Sequence, residues 1–276
     1  MSKKGQMDMS FSLVFVTIVG IIVFSFFMFF LVKYIDLQDH KESVEISRSM
    51  DSIITGLKTQ TQQKELGVNY NFNMDVYCDG IIINDQEPAQ EIDPIFFASS
   101  GSNDDLLIWT QELSKGFSID NLLYLIDLNK KYYSDNPTFF DRVNVSGGSI
   151  SNYDVGVFFN FCPAENSDKT ICFSDSTVRG RPYVLFDDSL IYGAAFSDLE
   201  QFDCSYSKII TKWINLFEIY ISKNLAMNDC SSIRFSLNEE LVTLRNKLIS
   251  GEYSIDVHTM NELNYRLSDG GCGVLY

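Results

Sequence analysis

Six cysteines are the residues of this sequence with the most defined chemistry: Cys78, Cys162, Cys172, Cys204, Cys230 and Cys272. Their number is even, the pattern of a chain that matures in an oxidising compartment and pairs its thiols. No C-x-x-C occurs, and a zinc site wants closer ligand spacing, so disulfides are expected in place of metal. The two histidines are His40 and His258. A Ser-His-Asp or Cys-His site would have to use His258, and no G-x-S-x-G elbow supplies a nucleophile. The sequence also lacks H-E-x-x-H, a P-loop and G-x-G-x-x-G. Asp104-Asp105 and Asp187-Asp188 are acidic pairs without an EF-hand pattern, and among 37 acidic residues they read as solvated charges. Arg179 and Arg181 flank Gly180 and could hold a carboxylate, though an exposed turn explains them as well. No catalytic, cofactor-binding or metal-ligating residue is assigned, and the chain is expected not to be an enzyme.

The cysteine pairing follows from the elements around it. Cys204 and Cys230 bracket a long helical pattern, and a helix of about 20 residues spans about 30 Å, too far for a disulfide. If the helices run antiparallel, Cys272 returns to Cys230. Cys162 and Cys172 flank an expected hairpin, which leaves Cys78 for Cys204.

With 37 acidic against 21 basic side chains, the formal net charge is −16. A nucleic-acid binder carries a basic stripe to neutralise phosphates, so that partner is excluded. The same charge repels anionic headgroups and keeps the domain off a membrane surface.

Ser10 to Val32 contains no charged side chain, and as a helix rises about 35 Å, enough to cross a hydrocarbon core of about 30 Å. Residues 10–33 are expected to be a transmembrane helix in contact with bilayer lipid. Lys3 and Lys4 on the short preceding tail, residues 1–9, favour its retention in the cytoplasm, with the rest extracytoplasmic. Asn144-Val145-Ser146 supplies one glycosylation acceptor on that side, at Asn144. The apolar run exceeds that of a cleaved secretory signal and ends in Leu31-Val32-Lys33-Tyr34, without a small-x-small site.

The opening residues, Met1-Ser2-Lys3-Lys4-Gly5-Gln6 followed by the apolar run, resemble the class III signal peptide of archaeal type IV pilin-like proteins. The resemblance covers about the first 33 residues. It implies cleavage by a prepilin peptidase between Gly5 and Gln6, leaving the apolar helix as an anchor before assembly and a filament core after it. The implied partners are that peptidase and other pilus subunits, through self-assembly. The fifth mature position is Ser10, where bacterial pilins carry Glu, and Asp8 is the nearest acid. The length and the helical second half suit a minor or pilin-like surface protein. Two alternatives stand beside it: a single-pass accessory or receptor subunit with an uncleaved signal anchor, and an extracytoplasmic enzyme.

Beyond the span, Ile46, Met50, Ile53, Ile54 and Leu57 keep helical spacing, which predicts a helical stalk over 34–66. Residues 67–196 read as mostly β. Tyr70, Phe72, Met74 and Val76 alternate with polar residues, and Cys78-Asp79-Gly80 is a turn leading to Ile81–Ile83. Further strands are expected at 94–97, 106–109, 132–133, 155–159, 170–173, 182–185 and 189–195, with 155–159 and 170–173 forming a hairpin. Ser118–Asp127 is ambiguous between strand and helix, and 84–93 and 136–154 read as loops. Residues 197–276 are helical: Ser197 to Glu200 and Ser236 to Glu239 have capping-box spacing, Leu237, Leu241, Leu244 and Leu248 form a stripe, and a last helix covers 257–267. The expected fold is α+β: a transmembrane helix extending into a stalk, then an antiparallel β ectodomain with a C-terminal helical bundle.

Overall fold

A computed structural model describes residues 3–57, 63–84, 86–92, 94–136, 138–141, 143, 145, 147–149, 152–159, 170–174, 177–178, 181–182, 188–252 and 255–276. The fold is mixed α and β, and it divides into two compact units, 1–48 and 49–276.

The first unit is one helix, α1 (Lys3–Leu57), whose last turns belong to the second unit. Leu13–Ile35 has a mean hydropathy of 2.8 and is apolar on every face, with each of its side chains exposed to solvent. The Thr17 hydroxyl donates to the Leu13 carbonyl one turn back at 2.8 Å, so the helix satisfies it internally. Helix α1 is described to Leu57; residues 63–66, expected in the helical stalk, belong instead to a strand that opens at Gln63.

In the second unit, Met50, Ile53 and Ile54 are buried one helical turn apart, the i, i+3, i+4 face that the spacing marks. One sheet has the order β3-β2-β1-β5-β6-β4. Its strands are β1 (Gln63–Tyr77), β2 (Gly80–Ile83), β3 (Gln86–Glu91), β4 (Phe96–Phe97), β5 (Gly101–Lys115) and β6 (Phe117–Asp127). The Cys78-Asp79 turn closes the β1–β2 hairpin, with Tyr77 opposite Gly80. Strand β3 replaces the loop expected over 84–93. It is polar, contains Pro88 and lies at the sheet edge, where a missing N–H costs no ladder bond. Strands β5 and β6 turn at Gly116, whose φ of +79° suits glycine. A Cβ there would also lie 2.9 Å from Asn261 Oδ1 and Met260 Cε.

The second sheet has the order β11-β10-β9-β8-β7. It contains β7 (Tyr132–Ser134), β8 (Val155–Phe158), β9 (Thr170–Ser174), β10 (Thr177–Val178) and β11 (Arg181–Pro182). Strands β7, β8 and β9 are parallel, with Phe158 level with Cys172. This corrects both the all-antiparallel region and the expected 155–173 hairpin. A parallel pair needs a crossover of about a dozen residues, and the run from Phe159 to Lys169 has that length.

Four helices complete the unit: α2 (Asp188–Phe196), α3 (Leu199–Ala226), α4 (Ser231–Ile249) and α5 (His258–Asp269). Helix α2 replaces the strand expected at 189–195. Ser189 to Phe196 is buried throughout, so its sequence lacks the polar face that marks a helix. Neither capping box acts as one. Asp198 is the N-cap of α3, the Ser197 hydroxyl donates to Gly193, and Ser236 lies inside α4.

The core centres on stacked rings where α2 meets β5 and β6. Trp109 stacks on Tyr124 at 4.8 Å and meets Tyr192 edge-on at 5.0 Å. Both tyrosine hydroxyls are satisfied: Tyr124 donates to the Ser189 carbonyl at 2.9 Å and Tyr192 to the Phe139 carbonyl at 2.6 Å. Leu237, Leu241, Leu244 and Leu248 of α4 are buried between α3 and α5.

Candidate functional site

Cys78 is bonded to Cys204 across 126 residues, with Cα atoms 5.6 Å apart. Cys230 is bonded to Cys272, with Cα atoms 6.3 Å apart. Both pairs are those expected from antiparallel helices and elimination. Cys172 is disulfide-bonded as well, while Cys162 lies outside the described residues, as does Asn144. Gly5 and Gln6 sit in the first turns of α1.

The residues that could do chemistry are not brought together. His258 is exposed in the first turn of α5, where its amide donates to Asp256 Oδ1 at 2.9 Å. The side chains of Asp104 and Asp188 lie outside the described set, as do Asp187, Arg179 and Gly180 whole; Arg181 opens β11. Among the described residues, no three His, Cys, Asp or Glu side chains converge as metal ligands.

A recess of about 230 Å³ lies between the end of α1, β6 and α3. Its polar wall is an ion pair, Lys212 Nζ to Asp120 Oδ2 at 2.7 Å. The other carboxylate oxygen of Asp120 accepts the Asn121 amide at 2.9 Å. Ile54, Pro94 and Leu123 line the rest. The ion pair links α3 to β6 at the wall of the recess.

Another polar cluster among the described residues carries no motif in the sequence. It surrounds Arg234, a buried side chain of α4. Arg234 Nε donates to the Asp229 carboxylate at 2.6 Å and to the Asp229 carbonyl at 2.9 Å. Nη1 donates to Asn224 Oδ1 at 3.2 Å, and Nη2 to the Gly273 carbonyl at 2.7 Å. Asn224 returns a bond to the Arg234 carbonyl at 2.8 Å, and Asp229 Oδ2 accepts the Gly273 amide at 2.7 Å. That amide, with Arg234 beside it, holds the Asp229 carboxyl below the usual carboxylate range. One signal was available: Arg234 stands three residues before Leu237, on the apolar stripe, where a buried guanidinium needs several acceptors.

The cluster fixes Gly273–Tyr276 against the helices. Asn264 reads its backbone with both ends of its amide, accepting from Leu275 N at 2.7 Å and donating to the Tyr276 carbonyl at 3.3 Å. Lys223 Nζ donates to the Leu275 carbonyl. The Leu275 side chain is fully buried. The Tyr276 ring lies 5.5 Å from those of Phe117 and Tyr220, and its hydroxyl donates to Asn261 Oδ1 at 2.7 Å. Partial burial, with Tyr220 close by, pushes the Tyr276 phenol up to about 12.

Among the described residues, the protein has one helix long and apolar enough to cross a membrane, and a disulfide-bonded domain of mixed α and β structure. No protein-family model matches the chain, and no curated protein or solved structure matches it.

Proposed function

We propose that this is a membrane-anchored, extracytoplasmic surface protein of the pilin-like kind, with a structural or interaction role. The observation that carries the reading is the Leu13–Ile35 stretch of α1: 23 residues, apolar on all faces and unburied. In water such a surface is strongly unfavourable, and in a bilayer or a filament core it is covered. The disulfides of the second unit support an oxidising compartment for it. Lys3-Lys4-Gly5-Gln6 supports processing by a prepilin peptidase, with retention of α1.

A second reading keeps the signal anchor uncleaved and makes the protein an accessory or receptor subunit of a membrane complex. Ser10, in the place where bacterial pilins carry Glu, favours it.

The test is the mass of the mature N-terminus after expression in an archaeal host with a prepilin peptidase. A chain beginning at Gln6, with the cut abolished by Gly5→Val, supports the pilin-like reading. A chain retaining Lys3 and Lys4 rejects it in favour of the signal anchor.

A further inference from the structure

The two disulfides described above differ in how their sulfurs meet solvent. Cys230 and Cys272 are both half-buried. Cys78 is exposed, in the turn between β1 and β2, and its partner Cys204 is half-buried on α3. An incoming thiolate attacks one sulfur of a disulfide and expels the other, and access decides which.

The Cys78 turn is also held by bonds that do not involve sulfur. Lys208 Nζ, one helical turn after Cys204 on α3, donates to the Cys78 carbonyl at 2.5 Å and pairs with Asp79 Oδ1 at 2.8 Å. The Ile92 amide donates to the Asp79 carbonyl at 3.0 Å. Helix α3 has its own fastening to the sheet beside Cys204: Gln201 Nε2 and the Ser205 hydroxyl both donate to the Phe96 carbonyl.

We propose that Cys78–Cys204 is a modification site for small thiols, which add to Cys78 and leave again without unfolding the domain. The step balances without an outside oxidant. The thiolate of a low-molecular-weight monothiol forms a bond to Cys78 Sγ, the Cys78–Cys204 bond breaks, and its electron pair leaves on Cys204 as a thiolate. In reverse, the Cys204 thiolate attacks Cys78 Sγ, restores the disulfide and expels the small thiolate. The bonds around the turn make the return fast, because they keep Cys204 beside Cys78 at a high effective concentration. While the small thiol is attached, the Lys208–Asp79 ion pair and the Lys208 bond to the Cys78 carbonyl keep the turn on α3. This inference does not depend on the pilin-like reading.

The probe is 2-mercaptoethanol, applied at neutral pH to the full-length chain in detergent. Samples are trapped with N-ethylmaleimide at intervals, digested and weighed. Expected first is a chain carrying mercaptoethanol on Cys78 and maleimide on Cys204, formed at least about tenfold faster than any adduct on Cys230 or Cys272. Removing the thiol by gel filtration before maleimide is added should restore Cys78–Cys204 and release the mercaptoethanol. Hydrogen exchange on the trapped adduct should show the β1 and β2 amides still protected. In Lys208→Met the return should slow by at least about tenfold, and in Lys208→Arg by less than about threefold. Mercaptoethanol on Cys204 in place of Cys78, equal rates at the two disulfides, or lost β1 protection in the adduct would overturn the proposal. So would an unchanged return rate in Lys208→Met.

Discussion

Asp229 and Gly273 are joined across 44 residues of sequence by one carboxylate–amide bond of 2.7 Å. The bond converts the turn between α3 and α4 into the seat of a distant strand-like segment. Its acceptor is charged, so the seat depends on pH. The Asp229 carboxyl titrates lower in the folded protein than in the unfolded chain. Its stabilisation is therefore present above the unfolded value of about 4 and is lost as the pH falls through the folded value. The Gly273 amide resonance should hold its folded position at neutral pH and move below about pH 4. In Asp229→Asn that acid step should vanish.

At the alkaline end the sign reverses. The Tyr276 phenol is raised in the fold, to about 12, so the neutral form is the one the structure favours. Its contribution is complete below the unfolded value of about 10 and is lost as the pH rises through about 12. Absorbance titration of tyrosinate should show a late component that loses one group in Tyr276→Phe, while Tyr132 and Tyr220, also raised by burial, keep the remainder. That variant should also lose the bond to Asn261 and expose Leu275 N to faster hydrogen exchange.

Leu241 is fully buried on the α4 stripe. Leu241→Ala should cost about 2–5 kcal/mol and lower Tm by about 5–15 °C. Leu199 is exposed at the start of α3, and Leu199→Ala should stay within about 0.5 kcal/mol. A thermal melt of both variants checks the pair together.

Gly193 of α2 packs against the Phe97 ring, and a Cβ built there would stand 2.6 Å from a ring carbon. Phe97 cannot swing aside, because it is stacked on Tyr124 at 5.6 Å and lies 6.0 Å from Phe202. Helix propensity alone would make Gly193→Ala stabilising by about 1 kcal/mol. The clash should win, for a net loss of about 1–3 kcal/mol by denaturant unfolding.

The parts legible in the sequence are those with one wet face. The alternation at Phe72 and Met74 gives β1, and the four-leucine stripe gives α4, because polar residues mark the opposite side. Strand β6 from Leu122 to Asp127 and helix α2 are buried all round, so their sequences carry no period: the first reads equally as strand or helix, and the second reads as a strand. The parallel pairing of β8 with β9 was hidden for another reason: direction is set by the crossover between them, and nothing in either strand encodes it. Cys230–Cys272 is legible because helix length forbids Cys204–Cys230 and antiparallel helices bring Cys272 back to Cys230, whereas Cys78–Cys204 follows only by elimination. The Arg234 cluster was not, because it assembles from α3, the α3–α4 turn, α4 and the closing segment, each unremarkable alone.

The Cys78–Cys204 bond also makes a ring of the chain from the β1 turn to α3. A protease that cuts one connector inside that ring, between Asp79 and Asp203, opens the circle without dividing the molecule. The fragment carrying α1 and the fragment carrying α4 and α5 remain one covalent body. Where α1 is the attachment to a surface, a single nick in the sheet region leaves the helical part attached.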